Sequence, residues 1–418
     1  MNLFKLSWKN LTHKPLSMLL SIVLFALGVG LISLLFLLQD QLQKNFEKNL
    51  AGVDLVVGAK GSPLQLILCS MYHIDAPTGN ISLQEARPFL NPKHPLIQTS
   101  VPLSLGDNYK GYRIVGTEQK IIDLYKAEIA SGKIWEKNIE VTIGASVAKI
   151  LELKIGDTFR SSHGFADEED MSHEHELAFE VVGILKQNGT VLDQLILTTT
   201  QSFWLVHEHE EVADDSTHQH EDVHIIPKPL LEEPMEKEIT SMLIKFKGRN
   251  FQALNMQRNI NENTDLQAAT PAIEINRLYA LMNSGEQALR ILAIVIIFVS
   301  GLSIFISLYN SLKERKYELA LMRVMGTTQR GLFALIILEG LLLTLMGYVV
   351  GMILSHGGMQ LFAGILKESY RYDFTGMAFL KEEGYLLIGA LIIGFLASFI
   401  PAIQASNTDI SDTLTQGS

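Results

Sequence analysis

Long apolar runs divide the chain into hydrophobic segments separated by polar stretches of very different length. A helix needs roughly 20 apolar residues to cross the hydrocarbon core of a bilayer. The runs at 16–38, 289–309, 331–354 and 385–401 meet this length, which predicts four membrane-spanning helices. The first run exceeds the roughly 7 to 15 apolar residues of a signal peptide, and no small-residue cleavage site follows at Gln39 and Asp40. We therefore interpret it as a retained anchor.

Positive residues in the short flanks predict the orientation of these spans, because Lys and Arg are held back on the cytoplasmic side. They precede the first span and fill the short loop between the second and third, so both flanks are predicted inside. These residues are Lys5, Lys9, Lys14, Lys313, Arg315, Lys316, Arg323 and Arg330. Both termini are then cytoplasmic, although the tail at 405–418 has no Lys or Arg and is placed only by counting spans.

The resulting domain map begins with an amphipathic surface helix at 1–15 and the first span at 16–38. A large domain outside the cytoplasm follows at 39–286. The rest consists of the second span (287–309), a charged cytoplasmic helix (310–330), the third span (331–354), an outer loop (355–384), the fourth span (385–404) and the tail (405–418).

Within the outer domain the hydrophobic period changes repeatedly between two and 3.6 residues, which predicts an α+β fold. Residues 39–50 continue the first span as a polar helix, and residues 53–65 are expected to be a strand ending in a Gly/Pro turn. Further strands are predicted at 101–105, 111–116, 141–143, 158–160, 180–185, 195–197 and 239–247. Helices are predicted at 82–90, 145–151, 251–261 and 275–287. The predicted fold class is a membrane protein with four transmembrane α-helices and a large α+β domain between the first two.

Composition supports this division. The chain is 47% hydrophobic, and its net charge of -11 lies mostly in the outer domain, which argues against nucleic acid as a partner. Cys69 is the single cysteine, so no intrachain disulfide can form and the outer domain must fold on its core alone. The Cys69 thiol is expected to be buried.

A charged segment, ERKYELALMRVMGTT at 314–328, separates the second and third runs and is too short to be a domain. On a helix its apolar side consists of Leu319, Met322, Val324 and Met325. The charges offered to a partner protein belong to Glu314, Arg315, Glu318 and Arg323. Gly326 permits a left-handed turn that ends the helix. The alternative is an interfacial helix whose positive residues only set the topology.

Glu339 lies inside the third run, near the predicted middle of the membrane, where a carboxylate is costly. It is interpreted either as a switch or subunit contact, with Ser or Thr hydroxyls of a neighbouring span as partners, or as a protonated or hydrogen-bonded structural residue. The small residues at Gly347 and Gly351, and at Ser303 and Ser307, predict close helix packing.

The N-terminal stretch at 4–15 places Phe4, Trp8 and Leu11 on one helical face, with Lys5 and Lys9 beside it. This pattern predicts an amphipathic helix in the inner headgroup layer.

Histidine is concentrated in one part of the outer domain, because eight of the twelve histidines fall between His163 and His224. Imidazoles among carboxylates suit Zn(II), Ni(II) or Cu(II), with zinc the first candidate. The candidate ligands are His173, His175, His207, His209, His218, His220, Asp222 and His224. The first tract is expected to interrupt a strand pair and the others to form a loop after Trp204, in a subdomain at about 155–226. The alternatives are loose chelation and a solvated acidic loop with no metal role.

The stretch at 56–82 contains Gly58, Gly61 and Pro63, followed by His73 and Asp75 beside a Pro-Thr-Gly turn. Glycine turns without a following helix are weak evidence for phosphate binding, so this stretch is interpreted as a membrane-proximal part of the outer domain.

The layout of one anchor, a large outer domain and three further spans resembles the MacB/FtsX-type permeases, the type VII ABC transporters, which include lipoprotein-releasing and macrolide-export permeases. The matching segments are GLSIFISLYNSLKERKYELALMRVMGTTQRGLF (301–333), EGLLLTLMGYVVG (339–351), VTIGASVAKILELKIGDTF (141–159), FEVVGILKQNGTVLDQLIL (179–197) and PAIQAS (401–406).

This resemblance implies a dimer with a second permease copy or paralogue in a bacterial inner membrane, working with a separate cytoplasmic ABC ATPase dimer that binds ATP and Mg. The helix after the second span would act as a coupling helix on that ATPase, and a periplasmic adaptor or substrate protein is a further expected partner. The sequence lacks G-x-x-x-x-G-K-[ST], so this chain is not expected to be an ATPase itself. It departs from fused family members in lacking an ATPase domain, and from the cell-division type in its longer outer domain.

Three function classes follow. The first is a permease subunit that drives export or extraction of a lipoprotein, peptide, lipid or metal-related cargo. The second is a transmembrane signalling subunit that controls a periplasmic hydrolase or senses zinc. The third is a membrane metalloenzyme that uses the histidines with Glu174 or Glu208 as base.

Overall fold

The computed structural model describes residues 3–163, 177–212, 225–248, 250–369 and 374–407. The chain divides into a helical unit, Met1–Gln43 with Met282–Ser418, and a mixed unit, Lys44–Leu281.

The helices are α1 (Leu3–His13), α2 (Pro15–Asn49), α3 (Pro63–Tyr72), α4 (Leu83–Leu90), α5 (Lys120–Leu124), α6 (Ala145–Ile150), α7 (Thr200–Val212), α8 (Phe251–Asn263), α9 (Pro271–Glu314), α10 (Lys316–Val324), α11 (Gln329–Ser369) and α12 (Lys381–Ser406). The strands are β1 (Leu55–Ala59), β2 (Ile81–Ser82), β3 (Ile97–Tyr109), β4 (Tyr112–Thr117), β5 (Ile129–Gly132), β6 (Glu140–Ile143), β7 (Thr158–Phe159), β8 (Ser162–His163), β9 (Phe179–Leu185), β10 (Ile196–Thr199), β11 (Glu238–Ile239), β12 (Ser241–Phe246) and β13 (Leu266–Ala269).

In the described part of the helical unit, four helices are long and apolar enough to cross a membrane. They are α2, α9, α11 over Gln329–Gly364, and α12. The sequence prediction of four spans is therefore confirmed. The predicted outer loop at 355–384 is wrong over its first part, since α11 continues to Ser369. The reason is that apolar residues such as Leu361 and Phe362 continue the pattern and no proline interrupts it.

Small residues bring α2 and α11 into close contact, as the sequence predicts. A Cβ added to Gly351 would lie 2.8 Å from the Ala26 carbonyl oxygen, and one added to Gly347 would lie 2.8 Å from the Phe25 ring. No larger residue fits at either position without a shift of the backbone or ring. Serine pairs join α2 to α9, Ser17 with Ser307 at 2.7 Å and Ser21 with Ser303 at 3.5 Å.

The mixed unit is built on a sheet to which eleven strands contribute within the described residues. Their order is β13-β1-β12-β3-β4-β10-β6-β9-β5, with β7 paired to β9 and β8 to β3; β11 and β2 form a separate pair. Most neighbours are antiparallel, but β10 runs parallel to β4 and β6 runs parallel to β9. The sheet is therefore mixed, and the predicted α+β fold class is confirmed.

Both faces of this sheet are covered by apolar cores. On β1, Val56 packs in one core cluster while Leu55 and Val57 pack in another, because successive side chains of a strand point to opposite faces. On β10 the same alternation separates Leu197 from Ile196. Burial on both faces explains why β1 has a continuous apolar sequence rather than an apolar–polar alternation.

The expectation of one strand over residues 53–65 is wrong in its second half. β1 ends at Ala59, and α3 begins at Pro63. The Ser62 hydroxyl accepts a hydrogen bond from the Gln65 N–H at 3.4 Å, and Pro63 occupies the first helical position, where its missing N–H costs nothing. The Ser-Pro pair is therefore a helix start and not a strand-ending turn.

The structure separates the histidine tracts differently from the sequence prediction. Phe159 on β7 pairs with Phe179 on β9, which confirms that the first tract interrupts a strand pair. The second tract begins on α7, which continues to Val212, so the expected loop directly after Trp204 is wrong.

Candidate functional site

The charged segment after the second span forms two helices joined at Arg315, not one helix over 314–328. α9 ends at Glu314 and α10 begins at Lys316. The end of α10 is a Schellman motif, in which the Gly326 N–H donates to the Arg323 carbonyl and the Thr327 N–H to the Met322 carbonyl, both at 3.0 Å. Gly326 has φ 101°, which confirms the predicted left-handed turn.

One side of α10 is buried in the helical unit. Leu319 is 1% exposed, Ala320 is 0% and Met322 is 8%. Leu319 and Met322 pack in a cluster with Leu312 of α9 and Leu332 of α11. This burial fixes the rotation of α10 about its own axis.

The opposite side of α10 is apolar and exposed. We call it the α10 stripe; it consists of Tyr317 (51% exposed), Leu321 (44%), Val324 (59%) and Met325 (70%). The spacing i, i+4, i+7, i+8 places these residues on one face. The sequence prediction put Val324 and Met325 on the same side as Leu319 and Met322, and this is wrong. The segment has two apolar faces, and the sequence pattern did not separate them.

Arg315 points into the unit and contacts Glu339, so the expectation that it offers its charge to a partner is wrong. Its side chain is 14% exposed; Nη1 lies 3.5 Å from Glu339 Oε1, and Nε donates to Glu318 Oε2 at 3.1 Å. Asn10 Nδ2 donates to the same Glu339 Oε1 at 2.7 Å. Glu339 is 2% exposed. Its partners are thus an amide and a guanidinium rather than the expected Ser or Thr hydroxyls.

The other charged residues of the segment remain at its surface. Glu314 forms an ion pair with Lys14. Glu318 is exposed at 66% of its side chain and bonds to Arg315. Arg323 lies in the last turn of α10 and is partly exposed.

α1 packs against the same group of helices. Ser7 is 0% exposed, and its hydroxyl donates to the Leu335 carbonyl at 3.4 Å. Leu11 is 8% exposed and belongs to a core cluster, whereas Phe4 is 55% exposed and Trp8 is 44% exposed. The spacing i, i+4, i+7 on the continuous helix α1 places Phe4, Trp8 and Leu11 on one face, as predicted, but of the three only Leu11 is buried among the other helices.

Of the eight candidate metal ligands of the histidine tracts, two, His207 and His209, lie within the described residues. His207 Nδ1 lies 2.8 Å from the Phe203 carbonyl, and Nε2 lies 3.5 Å from Asp107 Oδ1, so both ring nitrogens face oxygens of the mixed unit. His209 lies further along α7. No group of three or more metal-ligating side chains occurs within the described residues. The candidates His173, His175, His218, His220, Asp222 and His224 lie outside those residues.

The stretch at 56–82 makes a partly buried contact with Arg113. Arg113 donates to the Asp75 carbonyl, and His73 caps α3 with φ 53°. Burial, together with the nearby Arg113 charge, lowers the pKa of His73 to about 3, so this imidazole is neutral. Cys69 is 1% exposed, which confirms its predicted burial.

Sequence reasoning missed two polar contacts in the helical unit. Asn10 is one, and the other is the pair His356–Glu383, whose Nε2 and Oε1 atoms lie 3.1 Å apart. The sequence does contain a signal for the pair His356–Glu383, because ionisable residues within or beside long apolar runs seldom lack a partner. For Asn10 the signal is weaker, since an amide on a surface helix is common.

Two family models match the chain in separate regions. The model described as FtsX-like permease C-terminal matches residues 290–410, which contain α10 and Glu339. The model described as MacB-like periplasmic core domain matches residues 18–248, which is more than half of the 418 residues. No curated protein matches the chain significantly. The order of the two matches agrees with the order of the mixed unit and the last three apolar helices, and the chain therefore belongs to the MacB/FtsX family of type VII ABC transporter permeases.

Proposed function

We propose that this chain is the permease subunit of an ABC transporter whose ATPase is a separate cytoplasmic protein. The subunit lies in a bacterial inner membrane with both termini in the cytoplasm, and it pairs with a second permease copy or a paralogue. ATP hydrolysis by the partner moves the periplasmic mixed unit, which exports or extracts a cargo of the lipoprotein, peptide, lipid or metal-related class.

The observation that carries this proposal is the two-sided burial of α10. One side is anchored among α9 and α11, while the α10 stripe exposes four large apolar side chains. A short helix with charged ends does not reach far into lipid, and its exposed apolar side needs a protein partner to cover it. An ATPase subunit with an apolar groove rimmed by charges is the partner that fits this surface, with Glu318 and Arg323 at the rim.

The contacts of Arg315 support transmission of movement from α10 to the spans. Arg315 directly precedes α10 and contacts Glu339 on α11, and Glu339 also accepts a hydrogen bond from Asn10 on α1. A displacement of α10 by the ATPase therefore acts on α1 and α11 together. The buried ion pair couples α10 to α11, because separating the charges without water is costly, and the Asn10 hydrogen bond adds α1.

The experiment is co-purification of the full chain with its ATPase, together with ATP hydrolysis by the complex. Val324→Asp puts a carboxylate in the middle of the α10 stripe and should reduce co-purification at least about tenfold, since a desolvated unpaired charge opposes docking. Gln329→Asp is the matched control. It adds the same charge at the exposed first position of α11, where a carboxylate is favourable, and should leave binding unchanged.

Equal recovery of the ATPase with wild type and Val324→Asp would remove α10 as the docking element. Loss of binding with both variants would also count against the proposal, because it would show a nonspecific charge effect over the whole surface.

A further inference from the structure

The exposed side of α1 consists of an aromatic strip and a cationic strip. Phe4 and Trp8 form the aromatic strip, and both side chains are exposed. Lys5 and Lys9 form the cationic strip and are exposed as well. Because successive residues of an α-helix are about 100° apart around its axis, each strip follows one row of spacing i, i+4, and the two rows run side by side. α1 therefore presents apolar rings directly beside two ammonium groups.

Contacts with α11 keep this side from turning into the helical unit. On the other side of α1, Asn10 Nδ2 donates to Glu339 Oε1 at 2.7 Å, and the Ser7 hydroxyl donates to the Leu335 carbonyl at 3.4 Å. These two hydrogen bonds fix the rotation of α1 about its own axis. The aromatic and cationic strips therefore face away from α11.

The same contacts determine the depth of α1 along the third span. Leu335 and Glu339 belong to the apolar run that begins at residue 331 and lie about 6 and 12 Å of helix beyond its start. Interfacial helices bury their apolar face roughly 5–10 Å into the boundary between headgroups and acyl chains. α1 is also joined closely to the first span, because it ends at His13 and α2 begins at Pro15. Both observations place its exposed side at the boundary of the hydrocarbon core.

The charge around α1 is positive. Residues 1–39 contain Lys5, Lys9 and Lys14 and no Asp or Glu, although the whole chain carries a net charge of -11. Lys14 forms an ion pair with Glu314, so Lys5 and Lys9 determine the charge of the exposed side. Negative lipid headgroups attract lysines that lie at the membrane surface.

The remaining polar groups of this side tolerate lipid around them. The Thr12 hydroxyl donates to the Trp8 and Lys9 carbonyls at 3.1 and 3.0 Å, so it is satisfied within α1. A lysine keeps its apolar stem along hydrocarbon while its ammonium group reaches the headgroups. Burial of this side against a bilayer therefore leaves no polar group of these side chains without a partner.

From these observations we propose that the exposed side of α1 binds an anionic phospholipid. The Phe4 and Trp8 rings lie among the upper segments of its acyl chains, and the Lys5 and Lys9 ammonium groups donate to its phosphate. A zwitterionic lipid fits the aromatic strip equally well, but its positive headgroup charge opposes the lysines, so the net negative charge is what this side selects. The permease and the bilayer form this site without the ATPase.

The test is fluorescence quenching of Trp8 in the full chain, reconstituted in nanodiscs of phosphatidylglycerol and phosphatidylcholine. Brominated acyl chains are placed on one lipid or on the other in bilayers of otherwise equal composition, which gives the exchange constant of the two lipids beside Trp8. Trp8→Phe is the blank, because Trp135 and Trp204 belong to the mixed unit. The exchange constant should favour phosphatidylglycerol at least about fivefold, the effect of one lysine near an anionic surface, and should fall at about 0.5 M salt.

Lys5→Gln/Lys9→Gln should bring the exchange constant to about one, since no charge then remains to select the headgroup. Quenching of Trp8 by lipid should persist in this variant, because the aromatic strip is intact. The matched control is Lys5→Arg/Lys9→Arg, which keeps both charges and should retain the preference to within about twofold.

An exchange constant near one in wild type, or a preference that Lys5→Gln/Lys9→Gln retains, would overturn the proposal. So would the absence of Trp8 quenching by either lipid. Quenching that disappears when the ATPase is bound would also overturn it, since a protein would then cover the exposed side of α1. The other measurements are made without the ATPase, so their outcome does not depend on the docking proposed for α10.

Discussion

The helical unit buries a carboxylate near each of its ends, and the two are stabilised in different ways. Glu339 is 2% exposed and Glu383 is 3% exposed. Glu339 lies near the end of α11 that follows α10. Glu383 lies on α12 and contacts His356, which is further along α11. The 17 residues from Glu339 to His356 correspond to about 25 Å of helix. The two buried carboxylates therefore belong to separate polar contacts.

The two carboxylates differ in how local their partners are. Glu383 Oε2 accepts from the Leu380 N–H at 3.2 Å, which caps the start of its own helix, and Oε1 accepts from the Ser33 hydroxyl at 3.3 Å. Glu339 contacts Asn10 and Arg315, which come from other helices. A residue that caps its own helix fixes where that helix begins. A carboxylate bound only by distant segments instead holds those segments together, which is what a coupling element requires.

The largest expected effect follows from removing the positive partner at the α10 end. Arg315→Ala leaves the Glu339 carboxylate buried with only the Asn10 amide, and should lower the free energy of unfolding by about 3 kcal/mol. The measurement is denaturant unfolding of the purified chain in detergent. Combining Arg315→Ala with Glu339→Gln should recover most of the loss, because no buried charge then remains.

Glu318→Gln is the control for this prediction, since Glu318 also contacts Arg315 but is 66% exposed at its side chain. It should change the stability by less than about 0.5 kcal/mol. If the double variant is no more stable than Arg315→Ala alone, the buried pair is not the source of the effect and the contrast between the two ends is lost.

A smaller effect is expected at the other end. Glu383→Ala removes a helix cap and the contacts with Ser33 and His356, and should cost about 2 kcal/mol. Glu383→Gln keeps an acceptor for the Leu380 N–H and should cost about half as much. ATPase co-purification should be unchanged in both variants, whereas Arg315→Ala should weaken it. Loss of the ATPase with either Glu383 variant would contradict the assignment of coupling to the α10 end alone.

The third effect concerns how α10 ends. Gly326 has φ 101°, and a Cβ there is strained although no atom lies within 4 Å. Gly326→Ala should therefore cost about 1 kcal/mol and reduce ATPase co-purification, because the Schellman turn sets the direction in which the chain leaves α10. Gly357→Ala is the matched control. Gly357 lies inside α11 with open space around it, so alanine there should be neutral or slightly stabilising. Equal effects of the two substitutions would show that the turn has no special role.

The sequence predicts the parts of this fold that depend on the period of a single segment. The four apolar runs and the predicted strands at 101–105, 141–143 and 180–185 all correspond to elements of the structure. The left-handed glycine after α10 was also predictable, because only the local backbone decides it. Glycine and serine spacing likewise predicted the close contact of α2 with α11 and α9.

The wrong predictions concern which residues are in contact in the folded chain. Val324 and Leu319 are both apolar and near in sequence, and only the packing of α9 and α11 against one side of α10 decides which of them is buried. Arg315 has the composition of a surface residue and is drawn inward by Glu339, 24 residues later in the sequence. Asn10 could not be assigned to Glu339 for the same reason. Such contacts depend on tertiary structure, and residue spacing contains no information about them.

The smallest expected effect is that the substitutions in the helical unit leave the fold of the mixed unit unchanged. The labelling rate of Cys69 measures this. Burial raises the pKa of the Cys69 thiol to about 11, and the side chain is 1% exposed. Because the thiolate is the reactive form and the side chain is buried, a maleimide at pH 8 should label the folded chain very slowly. Cys69 is the single cysteine, so labelling reports on the mixed unit alone.

At denaturant concentrations below the unfolding midpoint, the variants Arg315→Ala, Glu383→Ala and Gly326→Ala should be labelled as slowly as wild type. The denatured chain should be labelled completely. Rapid labelling of one variant under native conditions would mean that its substitution also unfolds the mixed unit. Its stability loss could then not be assigned to one end of the helical unit, and the comparison between Glu339 and Glu383 would have to be made again with the isosteric Gln variants.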